Sequence, residues 1–227
     1  MNTIKLIQHL ADFITENRLQ TFHSVLKNRT RYLTVVLEEI YQPHNASAAM
    51  RTCDCFGIQD VHIIENRNTF NPNPEIDMGS SKWLSINKNP NINESIKNLK
   101  KNGFRIVATT PHQNAVYLND FDLYKGKTAL LFGTELTGLS EEALSLADEF
   151  IKIPMLGFTE SFNISVSVAI ILSDLVNRLR LSTINWELTS EEKNEIILQW
   201  LKESIQSSEK IIERFYSENK LSDNKGL

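Results

Sequence analysis

The sequence is short of cysteine, has no long apolar run and carries no excess of positive charge. Only two cysteines occur in 227 residues, Cys53 and Cys55, two apart in a stretch read as helix. A C-x-C pair cannot by itself fill a tetrahedral zinc site and no second pair exists, so no metal is expected. Helical spacing aims the two thiols about 200° apart, as buried or half-buried bystanders. No stretch approaches the ~20 apolar residues that span a bilayer. The start, Met-Asn-Thr-Ile-Lys, lacks the charged-then-apolar pattern of a signal peptide, so a cytoplasmic protein without a membrane partner is expected. G-x-G-x-x-G is absent, which weakens a dinucleotide fold. Gly126-Lys-Thr128 ends like a phosphate loop, but Phe121 stands where its first glycine belongs, and a strand follows instead of a helix.

A net charge of −4 argues against broad, unspecific binding to nucleic acid, but its distribution is uneven. Arg18, Lys27, Arg29 and Arg31 fall in one stretch without an acid, either as a solvated helix face or as a basic grip. From Glu187 onward there are nine acids and six bases. The first 27 residues repeat apolar side chains at helical spacing and predict one or two short helices. Ile196, Ile197, Trp200, Leu201 and Ile205, then Ile211, Ile212 and Phe215, predict an amphipathic tail broken near Ser207, packed on the domain or on a second subunit.

Between these ends, short apolar runs alternate with helical patterns. Leu33–Leu37, Val61–Ile64, Trp83–Ile86, Phe104–Ala108, Thr128–Phe132 and Phe150–Ile153 read as strands. A helix capped by Asn45 or Ser47 runs to about Phe56, and others start near Asn93, at Ser140 and near Ile164. Asn66 to Ser81 reads as a long loop or lid. This alternation implies an α/β fold with a mostly parallel sheet and helices on both faces. Polar turns then stand at the C-terminal ends of strands, where open sheets place ligands. Gly133 and Gly157 in those turns permit close backbone approach or positive φ.

Three motifs carry a resemblance. Asn45-Ala-Ser-Ala-Ala-Met-Arg51, Gly133-Thr-Glu-Leu-Thr-Gly138-Leu-Ser and Ile153-Pro-Met-Leu-Gly157 with Ser161-Phe-Asn163-Ile-Ser occur in the order found in SpoU-type RNA 2′-O-ribose methyltransferases. Together they cover roughly residues 43–178. The resemblance implies a deep C-terminal trefoil knot, an exception to unknotted topology. It also implies S-adenosylmethionine as cofactor, a homodimer and an RNA substrate. Three regions are expected: a helical extension at 1–31 that touches tRNA, a catalytic domain at 32–180 and a helical extension at 181–227.

Residue by residue, the resemblance places cofactor contacts at Thr109, Gly133, Ile153, Met155, Gly157 and Phe162. It places the chemistry at Arg51, Asn45, Glu135, Ser161 and Asn163. Arg51 either takes the 2′-hydroxyl proton or stays charged and stabilises the alkoxide. Removing a proton from an arginine at neutral pH costs about 7 kcal/mol unless the site intervenes. Glu135 would hold Asn45 or Arg51; Arg51 could instead pair only with Asp54. Asn163 and Ser161 would line the transfer site, or serve only as helix cap and turn support. Arg18, Lys27, Arg29 and Arg31 are the expected RNA contacts.

Leu136, Phe162 and Phe158-Thr-Glu160 depart from the family's usual Lys, Leu and Met-Val-Gln. The short N-terminal region is similar to that of the subgroup acting on guanosine-18 of tRNA. Another tRNA position, ribosomal RNA or non-catalytic RNA binding are the alternatives.

Overall fold

The structure, a computed structural model, describes residues 3–40, 42–65, 73–111 and 114–223. These form two compact units, one of residues up to Arg29 with those from Glu187 onward, the other Thr30–Trp186.

The first unit is helical. Helix α1 (Thr3–Ala11) and α2 (Glu16–Leu26, capped by the Thr15 hydroxyl) come from the N-terminal end. Of the one or two helices expected from periodicity, two are present. The C-terminal end supplies a helix at Ser190–Ser204 with a capping box from Thr189 and Glu192, and another at Ser208–Asp223. Ser207, with φ 59°, marks the expected break between them. Trp200 is buried at the centre, its ring 5.4 Å edge-on from Phe22, with Leu10, Leu26, Ile196 and Leu201 also buried.

The second unit is a seven-stranded parallel sheet. In chain order it runs β1 (Leu33–Glu38), α3 (Pro43–Cys55), β2 (Asp60–Ile64), α4 (Pro74–Asp77), β3 (Ser85–Asn89), α5 (Ile92–Lys101), β4 (Arg105–Thr109) and β5 (Val116–Tyr117). Then follow β6 (Thr128–Phe132), α6 (Glu141–Leu146), β7 (Glu149–Lys152) and α7 (Ile164–Leu181); the two C-terminal helices above are α8 and α9. The strand order is β3-β2-β1-β6-β4-β7-β5, and every named pairing is parallel. This is the expected α/β class with a parallel sheet.

Central strands of a parallel sheet are covered on both faces, and every residue of β1 and β6 is buried. Alternation sorts their side chains into two layers. Leu33, Val35, Leu37, Leu130 and Phe132 pack with Ala49, Met50 and Cys53 of α3 and with Val168, Leu172 and Leu175 of α7. Val36, Ala129 and Leu131 pack on the other face with Ile96 and Leu99 of α5 and Ala143 of α6. Each buried Val, Leu, Ile, Met or Phe among them contributes about 1.5–3 kcal/mol by leaving water.

Several local expectations are corrected. Helix α3 begins at Pro43 with Gln42 as N-cap, so neither Asn45 nor Ser47 caps it. Proline suits the first helical position because its missing N–H would have no partner there. Asn45 is thereby moved inside the first turn. The same rule makes Pro74 open α4, capped by Asn73, where a loop was expected. Residues 66–72 of that stretch, Tyr41 and His112 lie outside the described residues. Cys53 is buried but Cys55 is exposed. No described helix is long and apolar enough to cross a membrane.

Candidate active site

Three strands deliver three turns to one place. After β6, Gly133 leads into a tight turn closed by Thr134 N–H donating to Gly138 O at 2.9 Å and Gly138 N–H donating to Thr134 O at 3.0 Å. The Thr134 hydroxyl also accepts the Thr137 amide at 3.1 Å. A Cβ built at Gly133 would lie 2.2 Å from the carbonyl of Gly138 and 2.3 Å from Leu139 N. No side chain fits there, so glycine is required by close approach. Gly138, at φ 69°, supplies the left-handed step that closes the turn.

This turn, the end of β4 (Thr109–Pro111), the end of β7 (Lys152, Ile153, Met155) and Glu160–Phe162 enclose a cavity of about 380 Å³. Thr109 is fixed by its hydroxyl, which donates to Leu131 O at 2.8 Å. Five of the six residues expected to hold a cofactor line the cavity: Thr109, Gly133, Ile153, Met155 and Phe162. Gly157 does not; it is exposed, and nothing lies within 4 Å of a Cβ placed on it. Charge at the lining comes from Glu135, Glu160 and Lys152. Lys152, which sequence reasoning passed over, sits 4.6 Å from the Tyr117 ring centroid.

Beside the cavity, three of the expected polar residues meet. The Asn45 amide donates to Glu135 Oε1 at 2.9 Å and to Gln42 Oε1 at 3.2 Å. The Asn163 amide donates to Asn45 Oδ1 at 3.2 Å and to Glu135 Oε1. Asn163 also caps α7, its Oδ1 accepting the Ser165 amide at 2.9 Å and the Ser165 hydroxyl at 2.6 Å. The capping role and the site role are therefore carried by different atoms of one side chain. Asn45 is only 6% exposed, held at the start of α3, while Glu135 and Asn163 reach it from the turn after β6 and the start of α7. Ser161 lines the cavity two residues before that cap.

Arg51 stands apart. It is exposed on α3, does not line the cavity, and pairs with neither Asp54 nor Glu135; its side chain makes no hydrogen bond or ion pair with the described residues. Glu135 thus holds Asn45, not the arginine. Among the four basic residues expected to meet RNA, Arg18 and Lys27 are exposed. Arg29 is a correction: it is 2% exposed, with its guanidinium 5.5 Å from the Trp200 ring, so burial withdraws it from any phosphate. Arg31 is half-buried and paired with Asp60 at 3.1 Å. The described residues hold no group of three or more His, Cys, Asp or Glu side chains placed to bind a metal ion.

Comparison with known proteins matches this geometry to a family. Residues 32–173 match the model of the SpoU rRNA Methylase family. A tRNA (guanosine(18)-2′-O)-methyltransferase of Borreliella burgdorferi is 43% identical over 206 residues, 91% of this chain and 94% of that protein. The crystal structure of the A. aeolicus TrmH/SpoU tRNA modifying enzyme is similar with a TM-score of 0.76 and 34% identity, covering 85% of this chain and 98% of that one. An AdoMet-bound rRNA methyltransferase from Sinorhizobium meliloti is similar over 68% of this chain and 59% of that one, at 27% identity and a TM-score of 0.59. With the motif order, the parallel sheet and the turn-lined cavity all in agreement, the chain belongs to the SpoU rRNA Methylase family.

Proposed function

We propose that this protein transfers a methyl group from S-adenosylmethionine to the ribose 2′-hydroxyl of tRNA, at guanosine-18 of the D-loop, in the cytoplasm. One observation carries the reading: Asn45, Glu135 and Asn163, drawn from three separate motifs, converge beside one turn-lined cavity. Identity of 43% across 94% of the Borreliella burgdorferi relative supports tRNA and that position.

The cavity fits the cofactor. Its volume of about 380 Å³ lies within the range of small-molecule sites. Ile153, Phe162 and Leu139 offer apolar walls for a flat base, and the backbone of the Gly133–Leu139 turn offers hydrogen bonds. Glu135, Glu160 and Lys152 complement a molecule that carries both signs of charge. The cofactor supplies an electrophilic methyl on a sulfonium. The chain's own part is positioning and charge. Ile153, Met155 and Phe162 exclude water, and the Asn45–Glu135–Asn163 cluster fixes polar groups at the cavity's edge. Arg51, exposed and bearing a guanidinium, stabilises the developing 2′-alkoxide or steers the RNA phosphate that takes its proton.

In this reading residues 32–180 perform catalysis. The helical extension at 1–31 holds tRNA through Arg18 and Lys27, which remain exposed, and residues 181–227 form the C-terminal helical extension. The active form is a homodimer, supported by apolar side chains left in water at Leu136, Leu156, Phe158 and, on α7, Val166. Incubation with methyl-labelled cofactor and unfractionated tRNA tests the reading, with label expected in tRNA. Absence of incorporation by a protein that binds the cofactor would refute it.

A further inference from the structure

Glu38, the last residue of β1, belongs neither to the cavity lining nor to the Asn45–Glu135–Asn163 cluster. It is 5% exposed, and both of its carboxylate oxygens are committed to one residue far along the chain. Oε2 accepts the backbone N–H of Ser140 at 2.8 Å, and Oε1 accepts the Ser140 hydroxyl at 2.6 Å. The same hydroxyl oxygen accepts the Ala143 amide at 3.1 Å and so caps α6. Hydrogen bonds to an ionised carboxylate are shorter and stronger than neutral ones.

The place of this clamp matters more than its strength. β1 and β6 pair in parallel with Leu37 opposite Phe132, so Glu38 stands level with Gly133, where the turn leaves the sheet. Ser140 is where the turn ends and α6 begins. One end of the turn is therefore held by strand pairing and the other by Glu38. Between them Gly133 to Leu139 line the cavity, while Glu38 itself lies on the far side of the turn, in a second hollow shared with Thr134, Thr137 and Gly138.

We propose that Glu38 is a positioning residue for the cofactor: it sets the position of the Gly133–Leu139 turn from behind, without touching what the cavity holds. The proposal rests on the reading that this cavity holds S-adenosylmethionine. Loss of the clamp lets the C-terminal half of the turn drift, and the cost falls on cofactor binding rather than on tRNA binding.

The test is a set of variants of the full chain, titrated with S-adenosylhomocysteine by calorimetry and assayed for cofactor KM, tRNA KM and kcat. Glu38→Ala should raise the Kd for S-adenosylhomocysteine and the cofactor KM about tenfold, with tRNA KM within twofold. Glu38→Gln, whose amide can still accept the Ser140 N–H, should recover most of that loss. Ser140→Ala, which keeps the backbone bond, should lose a few-fold. Glu38→Ala combined with Ser140→Ala should lose less than the two single losses multiplied together, because both variants remove the same Ser140 hydroxyl to Glu38 bond.

Wild-type affinity in folded Glu38→Ala, equal rises in both KM values, or additive losses in the double variant would each overturn the proposal. If Glu38→Ala fails to fold, Glu38→Gln and Ser140→Ala decide it by the same split. Failure of the wild-type protein to bind S-adenosylhomocysteine would instead overturn the reading of the cavity itself.

Discussion

Asn163 reaches back across 118 residues to donate to Asn45 Oδ1 at 3.2 Å, and both amides donate to the same oxygen of Glu135. One carboxylate oxygen thus ties the start of α3, the turn after β6 and the cap of α7 together. Each side chain in the cluster depends on the other two for its place.

Substitutions within that cluster should therefore be non-additive. Glu135→Gln and Asn45→Ala should each lower kcat by about a hundredfold, and the double variant should be little worse than either. Asn163→Ala should add a loss of about 1 kcal/mol in stability, since it also removes the α7 cap. Single-turnover rates and thermal unfolding separate the two effects.

Arg51 has no such partners among the described residues, so its loss should cost function without costing structure. Arg51→Ala should abolish methyl transfer while leaving Tm within a degree or two and cofactor Kd within a few-fold. Arg51→Lys should be nearly as inactive, because an ammonium cannot reproduce the planar guanidinium fork. Full activity of the lysine variant would show that positive charge alone suffices.

The corrected placement of the basic residues separates grip from scaffold. Arg18→Ala and Lys27→Ala should each flatten the slope of log tRNA affinity against log salt by about 0.7–0.9. Arg29→Ala should leave that slope unchanged and lower stability by about 1–3 kcal/mol, since its guanidinium lies over the buried Trp200. A salt series on the three variants checks this.

His62 on β2 provides a pH dependence unrelated to catalysis. Burial pushes its imidazole down from 6.5 to about 4. Between those values the unfolded chain binds the proton and the folded chain does not, so this residue's contribution to stability is present above about pH 6.5 and is lost as pH falls toward 4. The full span corresponds to at most about 3 kcal/mol. His62→Gln should remove most of the difference in unfolding free energy between pH 7 and pH 5 that this group contributes.

What the sequence made legible follows the range of the forces involved. β1 and β6 could be read because a buried central strand is an unbroken apolar run that stops at a charged or glycine residue. Ser140 could be read as a cap because serine before two glutamates satisfies a helix start locally. β5, two residues long, leaves no pattern, while the start of α3 is misplaced and α4 missed because proline reads as a breaker instead of a first helical residue. The burial of Arg29 depends on Trp200, and the clamp of Glu38 on Ser140; neither pairing has a local signal. At the site, the motifs identified Asn45, Glu135 and Asn163, while the partner of Glu135 had to be seen in three dimensions.

The most direct test of the central claim is methyl transfer to two tRNA molecules that differ in one atom. One carries ordinary guanosine at position 18, the other 2′-deoxyguanosine there. The protein should methylate the first, with the modification mapping to the ribose of guanosine-18, and should leave the second unlabelled. Equal labelling of both, or a methyl group mapped to a base, would contradict it.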